Sequence, residues 1–258
     1  MLRLLKALPL TLAIAAVSIV ATSCNSNNGT KARFVNAIQN TEEYGAGNGG
    51  ALDVEVNGTQ QFTGVQFQTA SANTYIPIPS GNVTIEGFES PGVTTPVFTD
   101  STTLSSGTEY TEVATGFAGG TLTGNNVVLL SLSDDNTLPE DGTLNFRVIN
   151  ASPNSPSGVD IWIEPTPYPF SLQGVKPTIS ALAYQSVSGY VNVSYNSNNN
   201  EGFTVFVYTA GGGTELFSTN VNVSGSVSSA SVCTLVLTDN PNGSTMSSFL
   251  VVLNDNNC

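Results

Sequence analysis

An all-β chain is predicted here: two tandem immunoglobulin-like antiparallel β-sandwich domains after an N-terminal lipoprotein signal peptide. Three observations predict it. Short runs alternate apolar and polar residues with period two, as in Asn82 to Phe88, Thr108 to Phe117, Gly202 to Tyr208 and Ser231 to Thr238, the pattern of strands with one buried face. Gly, Pro, Asn and Ser clusters separate these runs every eight to twelve residues or so, the turn spacing of a sandwich. Charged residues make up only 10% of the 258 positions, against about a quarter in ordinary soluble domains. The polar surface must therefore come from Asn, Ser, Thr and Gly, which suits turns and strand faces. An isolated sheet with one apolar face buries it against a second sheet, so the sandwich follows from the pattern.

The first element is an address. Arg3 and Lys6 precede an almost wholly apolar run from Ala7 to Ala21, and Ala21-Thr22-Ser23 leads into Cys24. A short apolar run with a small-residue end reads as a signal peptide over residues 1–23. Ala-Thr-Ser-Cys resembles the bacterial lipobox, with Ala21 standing where Leu or Val is usual. The resemblance implies lipidation of Cys24, with 24–30 as the lipidated cysteine and its tether. Simple cleavage with Cys24 as a bystander is the alternative. Asn25 is not the aspartate that holds some lipoproteins at the inner membrane, so an outer-membrane anchor facing periplasm or exterior is favoured.

The remainder is one unit written twice. Ala32-Arg33-Phe34-Val35-Asn36-Ala37 recurs as Phe146-Arg147-Val148-Ile149-Asn150-Ala151, and Leu52-Asp53-Val54-Glu55-Val56 as Val159-Asp160-Ile161-Trp162-Ile163. Tyr75 to Gly81 is echoed by Tyr184 to Gly189, and both units close on an apolar strand and an acidic turn, Val127 to Asp134 and Phe249 to Asp255. Self-similarity at a fixed offset is the signature of tandem units. The first sandwich is placed at 31–135, a linker at 136–142 and the second sandwich at 143–258. The repeated opening strand and the φ-Asp-φ-x-φ strand resemble the bacterial domain of unknown function numbered 4397. That family is common in exported proteins and lipoproteins and implies no reaction. The second copy is closer to it, since the first carries an insertion from Gln39 to Gly50 in place of a Ser-Pro turn.

Composition excludes several activities. The chain has no histidine, which removes Ser-His and Cys-His nucleophile pairs and the commonest metal ligand. Six Lys and Arg against 19 Asp and Glu leave no footprint for nucleic acid. Gly45 to Gly50 has G-x-G-x-x-G form, but a strand follows it where a phosphate-binding loop needs a helix. It is read as an insertion loop, and Gly211-Gly212-Gly213 as a hairpin turn. Glu42 with Glu43 and Glu109 with Glu112 are the candidate carboxylate pairs for a hydrolase, although an odd separation puts Glu109 and Glu112 on opposite faces of a strand. Asp134, Asp135, Asn136, Glu140 and Asp141 offer oxygens for calcium without the spacing of a known loop.

Arg33 and Arg147 are the only arginines after the signal and share one repeat position. Structural pairs Arg33–Asp53 and Arg147–Asp160 are expected, each bridging neighbouring strands. Cys233 and Cys258 remain once Cys24 is lipidated, and in an exported chain an even remainder favours a disulfide. Against it, an even turn at Pro241-Asn242 puts Cys233 opposite about Leu250. Trp162 is read as a core residue, with Tyr168 and Phe170 covering it. No catalytic residue, metal ligand or cofactor is assigned. The function expected is a lipid-anchored cell-envelope protein of non-catalytic binding or structural type. Its partners are the membrane through its anchor and an envelope protein or glycan. The alternatives are an Asp/Glu-dependent glycan-directed hydrolase and a calcium-dependent adhesin.

Overall fold

The computed structural model describes residues 29–40, 50–71, 74–92, 94–118, 127–155, 158–165, 174–194, 202–221, 230–239 and 246–256. Cys24, Glu42, Glu43, Gly45 to Gly49, Tyr168, Phe170 and Cys258 lie outside them. The first unit comprises β1 (Lys31–Asn40), β2 (Ala51–Val56), β3 (Thr59–Val65), β4 (Thr69–Ala70), β5 (Ile76–Pro77), β6 (Gly81–Ser90), β7 (Pro96–Leu104), β8 (Glu109–Ala118) and β9 (Val128–Ser133). The second comprises β10 (Thr143–Asn150), β11 (Val159–Pro165), β12 (Ile179–Leu182), β13 (Ser186–Val187), β14 (Val191–Ser194), β15 (Phe203–Thr209), β16 (Glu215–Val221), β17 (Ser231–Asp239) and β18 (Met246–Asn256).

Each unit is a sandwich of two sheets. In the first, β3-β2-β6-β7 faces a sheet ordered β4-β1-β8-β9, with β5 also on β1; in the second, β12-β11-β15-β16 faces β13-β10-β17-β18, with β14 also on β10. Alternation builds each core. Phe34 of β1, Val54 of β2, Ile85 of β6 and Phe98 of β7 point into the first; Phe146, Ile161, Val205 and Leu235 point into the second. Phe34 stacks on Phe98 at 6.3 Å and tilts against Phe62 at 5.9 Å, while Phe146 meets Phe203 edge-on at 5.1 Å. Such pairs add about 0.5–1.5 kcal/mol to simple burial. Gly87 is required on β6, because a Cβ there would sit 2.2 Å from the Phe98 ring.

The sheet carrying β1 and the sheet carrying β10 depart from the all-antiparallel expectation. β1 runs parallel to β8 over ten residues, and β10 runs parallel to β17. These four strands are buried on both faces: β8 and β17 read as nearly continuous buried runs, as parallel strands do when both faces are covered. One cover is the sandwich's own second sheet. The other is the opposite sandwich, since Val35, Ala37 and Val113 form a third apolar cluster with Ile149, Ala151, Val236 and Leu253. The described chain is thus a four-layer stack of sheets with the two parallel-containing sheets in the middle.

The repeat register also sharpens. Gln68 and Gln185 both have positive φ and both donate their backbone N–H to the carbonyl of the repeated asparagine, Asn36 or Asn150. Ser71 and Ser188 exchange hydrogen bonds with Phe34 and Val148 in the same way. Further along, Ile76 of β5 pairs with Ala32 and Val191 of β14 pairs with the equivalent Phe146, so Tyr75 corresponds to Tyr190, not to Tyr184.

Candidate functional site

The two sandwiches meet around the two arginines. Arg33 precedes the core residue Phe34 on β1, so its side chain points away from its own core and towards the second sandwich. Its Nε donates to Thr111 Oγ1 at 2.9 Å, its Nη1 to the Asn254 carbonyl at 3.1 Å and its Nη2 to Asp255. Arg147 repeats the arrangement in the other direction. Its Nε donates to Thr234 Oγ1 at 3.1 Å, its Nη1 to the Ser133 carbonyl at 3.0 Å and its Nη2 to Asp134. Each guanidinium also lies over a tyrosine ring, Arg33 at 4.8 Å from Tyr75 and Arg147 at 5.0 Å from Tyr190.

Two threonines close the circuit. Thr111 donates to Asp134 Oδ2 at 2.6 Å, and Thr234 donates to Asp255 Oδ2 at 2.6 Å. A hydroxyl has one hydrogen to give and two lone pairs to receive, so each threonine passes the chain of bonds from an arginine to a carboxylate. The six residues form a closed ring: Arg33, Thr111, Asp134, Arg147, Thr234, Asp255 and back to Arg33. It holds two positive and two negative charges, with the arginine and aspartate side chains almost fully buried. Tyr75 OH adds a further bond to Asp134 Oδ2 at 2.6 Å. Burial of a charge is costly unless it is paired and hydrogen-bonded, and here all four carboxylate oxygens accept a bond.

The ring's electrostatics follow from this. Burial works against the Arg147 charge, but Asp134, the Tyr190 hydroxyl and Asp255 together carry its pKa above the usual arginine value. Burial raises the Asp255 carboxyl above its ordinary value, opposed by Arg33 and the Thr234 hydroxyl. Tyr75 is raised first by burial and then by Asp134. None of these groups is left as a free base.

The expected pairs Arg33–Asp53 and Arg147–Asp160 do not form. Asp53 lies on the outer face of the β2 sheet, on the far side of the sandwich core from Arg33, and Asp160 stands likewise to Arg147. Their shared task is local. Asp53 Oδ1 accepts the Gly64 N–H at 2.7 Å, and Asp160 accepts the N–H of Ala181 and of Gly211, each at 2.8 Å. Gly64 and Ala181 have φ of 60° and 50° and lie beside the bulges where β3 and β12 shift register. At Gly64 and Ala181 the aspartates satisfy amides that those bulges take out of the sheet ladder, and Asp160 also holds the β15–β16 turn at Gly211.

Other sequence candidates separate. Glu109 pairs with Lys31 at 2.9 Å and accepts from Asn136 at 2.6 Å, while Glu112 points into the first core. Asp134 belongs to the ring, and among the described residues no group of three or more His, Cys, Asp or Glu is placed to hold a metal ion. Trp162 is buried, its Nε1 donating to the Val175 carbonyl at 3.0 Å and its ring edge-on to Tyr208 at 5.2 Å. Cys233 is buried and disulfide-bonded, and it lies opposite Asn254, not Leu250. The β17–β18 connection is longer than an even two-residue turn, and a register shift between Thr238 and Asp239 adds to the offset.

A second polar bridge lies at the other end of the interface. Asp239 accepts from Ser152 Oγ and from the backbone and side-chain N–H groups of Asn154, and Asn154 also donates to Gln39 Oε1 at 3.1 Å. Gln68 donates to the Asp239 carbonyl at 2.6 Å, and Thr115 Oγ1 to the Ala151 carbonyl at 2.6 Å.

No curated protein matches the chain. Among solved structures it is similar to the fimbrial anchor protein Mfa2 from Porphyromonas gingivalis, with 12% identity, coverage of 86% of this chain and 95% of that one, and a TM-score of 0.26. The family profile described as Domain of unknown function (DUF4397) matches residues 30–162, which cover the first sandwich, β10 and the first part of β11. The match spans more than half of the chain, which therefore belongs to the DUF4397 family.

Proposed function

We propose that the protein is a lipid-anchored component of the bacterial cell envelope with a non-catalytic binding or structural role. The observation that carries this reading is the closed ring between the sandwiches. It commits the buried arginines and their aspartates to one another, which suits a stiff two-module body better than a reactive cleft. The start of the chain fits such a body held by a lipid: Arg3, Lys6 and the apolar run to Ala21 lead to Cys24. Several acyl chains at about 0.8 kcal/mol per buried CH₂ would anchor it firmly. With residues 1–23 removed, four basic residues face 19 acidic ones, so the domains would be repelled by an anionic surface and stand off it.

The test is metabolic labelling of the full chain with an alkyne fatty acid in a bacterial host, followed by membrane fractionation. The wild type is expected to take up label and sediment with membranes, and Cys24→Ser to do neither. Unlabelled wild type, or label retained by Cys24→Ser, would overturn the anchor.

A further inference from the structure

Glu112 is a carboxyl that points into the core of the first sandwich. It lies on β8 on the same face as Tyr110 and Ala114, which belong to the first core, and only 1% of it is exposed. The parallel register sets it beside Phe34 of β1, and the antiparallel register sets it beside Ser131 of β9. Ser131 Oγ donates to its Oε1 at 2.8 Å, and its Oε2 is buried without a hydrogen-bond partner. In the second sandwich the corresponding position, found by aligning Thr111 with Thr234, is Leu235. The first sandwich thus carries a carboxyl where the second carries a hydrocarbon.

Among the described residues no cation compensates it. Lys31 is held by Glu109, and both arginines belong to the ring. The charged groups that act on Glu112 are Asp134, at the end of β9, and Asp100, from β7 across the sandwich edge, and both repel a negative charge there. A buried carboxyl with one hydroxyl donor, two acidic neighbours and an unpartnered oxygen is accommodated in its neutral form.

We propose that Glu112 is a proton-operated latch on β9. Neutral, it lets β9 close the edge of the first sandwich; ionised, it loosens β9. Because β9 runs directly into Ser133 and Asp134, which hold Arg147, loosening it also weakens the grip between the sandwiches. Burial, and then the two acids, push the Glu112 carboxyl up to about 8 from 4.5, with the Ser131 hydroxyl opposing. Between those values the folded chain binds a proton that the unfolded chain does not. Its stability therefore falls as pH rises through that window and levels off above it.

The experiment is hydrogen exchange of the β9 amides in the full chain at roughly pH 6 and pH 9, corrected for intrinsic rates, with Glu112→Gln alongside. Protection of Val128–Ser133 is expected to drop at least about tenfold more in the wild type than in the variant over that range. Equal drops in both would overturn the latch. Should Glu112→Gln not fold, Glu112→Leu places the second sandwich's own residue at the site and is read in the same way. The wild-type Glu112 carboxyl, followed by carbon-13 NMR, decides independently of any variant. A midpoint well above the ordinary carboxylate range supports the proposal, and one within it refutes it.

Discussion

Thr111 and Thr234 occupy the same place in the two repeats and perform the same relay in opposite directions. Each accepts from the arginine of its own sandwich and donates to the aspartate that grips the arginine of the other. The two ion pairs cross between the sandwiches, and within each sandwich a hydroxyl links one pair to the other, so neither pair is independent of the other.

Thr111→Val and Thr234→Val keep the shape and remove the relay. Each leaves a buried arginine N–H and a buried aspartate oxygen one partner short, at a cost of about 1–3 kcal/mol. Because both act on one ring, the double variant is expected to lose less than the sum of the two singles. Urea unfolding of the four proteins measures this. Strict additivity would show that the ring does not act as a unit.

Asp160 and Asp53 separate by the number of amides they serve. Asp160→Ala orphans the N–H of Ala181 and of Gly211, whereas Asp53→Ala orphans that of Gly64 alone. At about 0.5–1.5 kcal/mol for each lost hydrogen bond, Asp160→Ala is expected to lower the denaturation midpoint more. The reverse order in thermal melts would contradict the assignment.

The register of β17 and β18 puts Cys233 opposite Asn254, four residues before Cys258 in the chain. We expect non-reducing peptide mapping to join Cys233 to Cys258. Opening that 25-residue separation with reductant should cost roughly 3–4 kcal/mol in the chain-entropy model. A map joining Cys233 to Cys24 instead would refute both this pairing and the lipid anchor, since a thioether-linked cysteine cannot also form a disulfide.

Much of the fold could be read from single strands, because period-two alternation directly reports which residues face a core. Val54, Ile85, Val205 and Leu235 are all in their expected interiors. Strand pairing could not be read the same way: alternation is identical for parallel and antiparallel neighbours, so the β1–β8 pairing was hidden. The repeated arginines marked the right place but not their partners. Asp53 and Asp160 are the nearest repeated acids in sequence, yet each lies across a full sandwich from the expected arginine. The usable signal was the acidic turn that closes each repeat, together with a threonine at matching positions of β8 and β17. Only the face-to-face stacking of the two sandwiches brings those together.

Reciprocal contacts of this kind are the geometry of an isologous dimer, in which one patch meets a second copy of itself about a twofold axis. In a dimer of identical chains every substitution falls on both sides at once, so a charge that helps one half is imposed on the other. Here the two halves are written separately in a single chain, and each can change alone. Lys31 faces the interface rim where its counterpart is Asn145, and Glu112 sits in one core where Leu235 sits in the other. The near-symmetric ring holds the halves together, and the chain around it is free to give its two modules different surfaces and different responses to pH.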